Sequence, residues 1–249
     1  MKRAFDPNEP ELMDRPQPVT PELEKDLANL VSLNRNFGGH RIVRRFLSQW
    51  LNPGRCYRLL DLCTGAGDIP RLMLDWARPR ETVLRIDAVD ANPSTLEIAR
   101  SHSAAYPEID YIRGDALKYD SSTSYDLVVC SLALHHFGED DAIALLRRCR
   151  QLSHRYVLVT DLERSALTSL SVWLVTALLY PEPMTRFDGR LSARRAFSYR
   201  EMRALAEAAD WPAFAHARFL PCRQALWLDT RNLADIPASV IPESMPSPA

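Results

Sequence analysis

The stretch from Arg58 to Leu74 constrains this chain more than any other. It begins with a short apolar run ending in an acid, Leu59-Leu60-Asp61-Leu62. It then breaks into Thr64-Gly65-Ala66-Gly67 and resumes a helical pattern at Asp68. An apolar run of this kind suits a buried strand. Glycines permit the positive φ and the close backbone approach that a tight turn facing a ligand requires. Asp68 is placed to cap the new helix, and Pro70 suits its first turn, where no N–H is missed. Strand, glycine turn and helix start together make the ligand-binding corner of an open α/β sheet.

The same alternation continues downstream. Val83–Asp90, Ile109–Arg113, Tyr125–Leu132 and Tyr156–Thr160 read as further strands, the last ending at Asp161. Helical patterns over Ser94–Ser103 and Asp140–Leu152 separate them. This is the pattern of a doubly wound sheet. Beyond Asp161 the regularity fails. Ala166–Tyr180 is a mostly apolar helix, too short to span a membrane, that Pro181 and Pro183 end. Residues 184–198 read as a basic loop, Tyr199–Ala209 as a helix, and Phe214–Leu220 and Gln224–Asp229 as a closing strand pair. The expected fold is α/β, a doubly wound and mostly parallel seven-stranded sheet with an N-terminal helical cap. Residues 1–19 are expected to be a flexible arm and 20–52 the cap, its two helices hinged at Gly38-Gly39. Residues 53–230 are then the main domain, with an apolar helical insertion at about 164–198, and 231–249 a flexible tail.

Composition excludes several classes. A formal net charge of -1, with no long basic run, argues against nucleic acid as the main partner. The five cysteines are scattered without a Cys-x-x-Cys pair, which suits reduced thiols in a cytoplasmic protein. No His, Cys or Asp cluster has metal-ligand spacing, so no metal is expected.

The acids carry the functional reading. Ligands in open α/β sheets sit beyond the carboxyl ends of the strands. Asp61, Asp90 and Asp115 fall at or near three successive strand ends, so all three can line one crevice. Each alone is also explained as a solvated strand-end acid or a helix cap. Asp90 stands where a carboxylate accepts both hydroxyls of a ribose. The dinucleotide fingerprint would want glycine or alanine where this chain has Pro70.

Asp61-Leu-Cys-Thr-Gly-Ala-Gly67 resembles the first motif of the class I S-adenosylmethionine-dependent methyltransferases, with Cys63 in place of the first glycine. Cys63-Thr-Gly-Ala-Gly-Asp68 and Ser131-Leu-Ala-Leu-His-His-Phe137 look most like the ubiquinone and menaquinone biosynthesis type. The resemblance covers about Arg58 to Arg164. It implies S-adenosylmethionine as cofactor and S-adenosylhomocysteine as product. It also implies a cofactor site drawn from Asp61, Thr64, Gly65, Gly67, Asp68, Asp90, Ala91, Asp115, Ala116 and Ser131. Within it, Asp61 orients the methionine end, and Asp115 with the Ala116 backbone meets the adenine. The entry motif Arg35–His40 and the 164–198 insertion depart from the family pattern and leave the methyl acceptor open.

Methyl transfer from a sulfonium needs alignment more than a dedicated nucleophile. A neutral phenol gains from a general base, and histidine is matched to neutral pH. His135 and His136, after the fourth strand, are the candidates, with His40 on the cap a weaker one; packing is the alternative for each. Trp173, Leu174 and Leu178 on the apolar insertion are expected to face a small hydrophobic or aromatic acceptor. The same face is alternatively a packing or homodimer contact. The expected activity is O- or C-methylation. The alternatives are a catalytically silent S-adenosylmethionine-binding regulator, a nicotinamide-dependent oxidoreductase and a nucleic-acid methyltransferase.

Overall fold

A computed structural model describes residues 2–229. Its centre is a seven-stranded sheet of β1 (Cys56–Leu62), β2 (Val83–Asp90), β3 (Ile109–Arg113), β4 (Tyr125–Ser131), β5 (Ser153–Leu162), β6 (Ala215–Phe219) and β7 (Arg223–Asp229), in spatial order 3-2-1-4-5-7-6. β1 to β5 are parallel, and β7 lies antiparallel between β5 and β6. The chain moves outward from β1 to β3, then returns to place β4 on the other side of β1. The switch point therefore falls beside the glycine corner, and the carboxyl ends of β1 to β5 share one edge.

The strands alternate between two cores, as the period-2 geometry of a strand requires. Leu60, Leu62, Val128, Cys130, Val157 and Val159 face helices α5 (Glu139–Leu152) and α8 (Tyr199–Ala208). Leu59, Leu127, Val129, Tyr156 and Leu158 face α2 (Gly39–Trp50) and α3 (Asp68–Ala77). Trp50 stacks on Tyr156 with 4.6 Å between ring centroids, seating α2 on the sheet. Helix α4 (Pro93–Ser101) starts at Asn92, whose side chain accepts from the Ser94 and Thr95 amides.

Above the shared edge lie α1 (Pro21–Asn36), α6 (Ala166–Leu179) and α7 (Pro183–Arg195). Thr20 caps α1, and Leu23 and Leu27 pack it against Ala66 of the glycine corner. Gly38, at φ +95°, turns the chain into α2, and Gly39 has no room for a Cβ beside Asn34. These contacts make the glycine pair a tight corner.

Two expectations need correction. Residues 183–195 are helix, not loop. Their buried stripe is Thr185, Asp188, Ser192 and Arg195, a helical spacing written in polar residues, so apolar periodicity cannot reveal it. Pro183 occupies the first turn and starts this helix. The stretch before α1 is also not a loose arm. Glu11 is 2% exposed, and Asp188 accepts the Leu12 and Met13 amides at 2.7 and 3.0 Å. Arg3 donates to the carbonyls of His135 and Phe137, and Arg195 to those of Asp6 and Glu9. The expected tail at 231–249 lies outside the described residues.

Candidate active site

The edge holds a cavity of about 560 Å³. At one end is the glycine corner. Thr64 donates its hydroxyl to Asp61 at 2.6 Å, and the Gly65 amide donates to Asp90 Oδ2 at 2.8 Å. Asp90 Oδ1 accepts from the Asn92 amide at 2.9 Å, so the carboxylate is held by backbone on both oxygens. Burial pushes the Asp90 pKa up against those two hydrogen bonds. Gly65 has φ +53°, and a Cβ built there would meet nothing within 4 Å. Its backbone thus faces open cavity, as close approach of a ligand requires.

Thr64, Gly65, Asp68, Asp90, Ala91, Asp115, Ala116, Ser131, His135 and His136 all line this one cavity. Asp61 and Gly67 do not. Asp61 is 1% exposed behind Thr64, and burial raises its carboxyl to about 8. Gly67, at φ +71°, caps α3, and the Tyr111 hydroxyl fills the place of its missing Cβ. Asp68 does not cap α3; its carboxylate meets His40 Nε2 at 2.6 Å and Asn34 Nδ2 at 2.8 Å, tying the helical cap to the corner. Asp115 stands at the rim, its Oδ1 accepting from the Leu117 amide at 3.0 Å. These residues fit the ribose and adenine of the implied cofactor: a fixed carboxylate, open backbone at Gly65 and a rim acid in one cavity.

The other end is built from four segments distant in sequence. Asp161, at the end of β5, accepts the His135 amide at 2.9 Å and holds His135 Nδ1 at 2.7 Å. Asp14 holds His136 Nδ1 at 2.7 Å. Glu11 lies between the two rings, 3.6 Å from His135 Nε2 and 3.8 Å from His136 Nε2, with Ser192 donating to it at 2.7 Å. Burial opposes charge on His136, but Glu11 and Asp14 override it and raise the ring to about 10. Burial likewise opposes charge on Glu11, and the two imidazoles with Ser192 bring it down to about 2.

Glu11, Asp14 and Ser192 escaped the sequence reading, because nothing in a polar stretch marks which acid will be buried. Asp161 had a signal: it is one more acid at a strand end. The expectation of no metal-ligand cluster also fails in three dimensions, since Glu11, His135 and His136 bring three ligand atoms within 4.8 Å of one another. The α6 expectation is corrected too. Ser171, Val172, Val175 and Thr176 line the cavity, opposite Leu27, Leu30 and Val31 of α1. Trp173 and Leu178 are 50% and 77% exposed on the outer face.

A family model described as a methyltransferase domain matches residues 59–155, the span holding the glycine corner, Asp90, Asp115 and the histidine pair. Over that span the chain is similar to methyltransferase domains. Over 82 residues the chain is 37% identical to the 2-phytyl-1,4-naphtoquinone methyltransferase of Thermosynechococcus vestitus, covering 33% of this chain and 35% of that one. Over 124 residues it is 30% identical to the tRNA1(Val) (adenine(37)-N6)-methyltransferase of Vibrio vulnificus, covering 43% and 50%. The chain thus spans half or less of the length of these curated relatives. Among solved structures, human N-acetylserotonin methyltransferase in complex with SAM aligns with TM-score 0.61 at 17% identity, over 84% of this chain and 56% of that one. Magnesium protoporphyrin IX methyltransferase from Synechocystis, with SAH bound, aligns with TM-score 0.55 at 15% identity, over 86% and 90%. At these identities the likeness is one of fold. Among the described residues no helix is long and apolar enough to cross a membrane.

Proposed function

We propose that the protein methylates an oxygen or carbon of a small, hydrophobic, aromatic acceptor. The observation that carries this reading is one unbroken cavity with two chemically distinct ends. Gly65, Asp90 and Asp115 line one end, and His135 and His136 the other, between apolar side chains of α1 and α6.

Bound S-adenosylmethionine supplies a methyl group on a sulfonium, already activated for displacement. The work left to the protein is to hold, orient and keep dry. Asp90 is positioned to accept ribose hydroxyls, and the Gly65 backbone lets the ligand lie close. Asp115 and Ala116 would border the adenine. Leu27, Val31, Val172 and Val175 would bury an aromatic acceptor and exclude water. His135 and His136 would face the acceptor's hydroxyl, His136 as an imidazolium that favours the phenolate form, with Asp161 and Asp14 fixing both rings through Nδ1.

The relative that acts on tRNA raises the nucleic-acid alternative. The apolar side chains of α1 and α6 that line the cavity and the net charge of -1 favour a small acceptor. The test is incubation with S-adenosylmethionine and a panel of quinols, naphthols and simple phenols, reading S-adenosylhomocysteine and methylated product by mass spectrometry. Turnover with a phenolic acceptor supports the proposal. Tight cofactor binding without turnover on any acceptor would favour a silent accessory subunit, and turnover on RNA alone would overturn the reading.

A further inference from the structure

We propose that Glu11, His135 and His136 form a binding site for one divalent transition-metal ion at the acceptor end of the cavity. The first argument is the direction of the lone pairs. Each Nδ1 sits 2.7 Å from a carboxylate oxygen, Asp161 for His135 and Asp14 for His136. With Nδ1–H donating to those acids, each Nε2 presents a lone pair. Carboxylates behind the imidazoles are the supports that orient histidine ligands and raise their basicity at metal centres.

The second argument is spacing. Ligand atoms around an ion with bonds of about 2.0–2.2 Å lie roughly 3–3.5 Å apart. Glu11 approaches the two Nε2 atoms at 3.6 and 3.8 Å, and all three ligand atoms lie within 4.8 Å of one another. These gaps are too long for hydrogen bonds. The two distances run from different oxygens of Glu11, and each exceeds an edge of a coordination triangle by a few tenths of an ångström.

The third argument is charge. Glu11, Asp14 and Asp161 bring three carboxylates around two imidazoles, and Glu11 and Asp161 are almost wholly buried. Arg3 and Arg223 are nearby cations, but Arg3 is turned to the His135 and Phe137 carbonyls and Arg223 to the Phe37 carbonyl. A divalent ion between neutral imidazoles would offset the cluster's charge to the same extent as two protonated imidazoles, so the charge admits the ion. Two nitrogens and one carboxylate suit Zn²⁺, Co²⁺ or Fe²⁺ better than Mg²⁺ or Ca²⁺, which favour oxygen donors.

Glu11, His135 and His136 also line the cavity, so coordination positions would remain open toward an acceptor oxygen. An ion there would stand in place of the imidazole Nε2 protons and lower the pKa of an acceptor hydroxyl by Lewis acidity, the proton leaving to solvent. This use rests on the function proposed above; the binding of the ion does not.

The experiment uses the full chain stripped with a chelator and dialysed. Co²⁺ is titrated while its visible d–d bands are followed, and Zn²⁺ is titrated by calorimetry. One ion per chain is expected. Glu11→Gln and His136→Ala are expected to weaken it at least a hundredfold, and Asp161→Asn by about 10–100-fold. S-adenosylhomocysteine affinity and circular dichroism verify that each variant is folded. Absence of Co²⁺ and Zn²⁺ binding by a folded wild-type chain would overturn the proposal, as would binding that folded Glu11→Gln and His136→Ala leave unchanged. Ion binding without methylation of any phenolic acceptor would keep the site and remove the functional reading.

Discussion

The Gly65 amide donates to Asp90 at 2.8 Å, joining the turn after β1 to the end of β2 beside the switch point of the sheet. One carboxylate thereby shapes the turn while keeping acceptor capacity for a ligand. Asp90→Ala is expected to weaken S-adenosylmethionine and S-adenosylhomocysteine by about 1.5–3 kcal/mol, the scale for losing hydrogen bonds to a charged group. Calorimetry with a folded variant measures this. Unchanged affinity would remove Asp90 from the ribose.

The two left-handed glycines of the corner should respond differently to the same substitution. Gly65→Ala places a methyl in open cavity, so the expected stability cost is about 1–2 kcal/mol from backbone alone, with cofactor affinity falling at least tenfold. Gly67→Ala drives a methyl into the Tyr111 hydroxyl and ring in addition to the backbone strain. Its stability cost is expected to be the larger, about 2–4 kcal/mol. Urea denaturation beside cofactor titration separates them. Equal stability losses would mean that Tyr111 yields.

Removing residues 2–15 is expected to abolish turnover while leaving most of the cofactor affinity. Glu11 and Asp14 go with the segment, and Asp188 loses its two amide donors, yet Gly65, Asp90 and Asp115 remain. Hydrogen exchange in α7 should quicken in the truncated chain. Normal turnover would show that the acceptor end does not need the arm.

His216 gives a pH signature away from the cavity. It stacks on Tyr199 at 3.8 Å between ring centroids. Burial, with Arg203 and Arg218 nearby, lowers its pKa from 6.5 to about 4 against a hydrogen bond with Gln224. Between those values the unfolded chain binds the extra proton. Stability from this group is therefore present above about 6.5 and lost as pH falls toward 4, on the order of 1–2 kcal/mol. Urea midpoints across that window test it. A folded His216→Gln variant with the same slope would point to another group.

The glycine-corner side of the cavity was readable because its parts are local. Asp61, Asp90 and Asp115 each follow an apolar run, and parallel strands bring their ends to one edge whatever the loops do. Even so, local reading assigned Asp61 and Gly67 to the ligand, whereas they brace the corner from behind. The acceptor end was unreadable for the opposite reason. Glu11 is buried only because Ser192 and the histidines are there, and α7 hides its inner stripe in Thr185, Asp188 and Ser192. Burial that depends on partners far along the chain leaves no period for a sequence reader to find. α6 was visible as an apolar helix, but with apolar residues on every side its inward face was not.

The packed segment ahead of α1 also bears on biosynthesis. His135, Asp188, Ser192 and Arg195, to which it is fastened, are all translated after it. Domains emerge and fold from the amino-terminal side, so Glu11 spends most of synthesis without its partners. The strands that lead to Gly65, Asp90 and Asp115 have all emerged, with their neighbour β4, by residue 131. The acceptor chamber is expected to wait for α7. Limited proteolysis of ribosome-stalled chains should cut before α1 until residue 195 has left the exit tunnel, and protection at earlier lengths would refute this order. The two halves of one cavity would then have different birthdays.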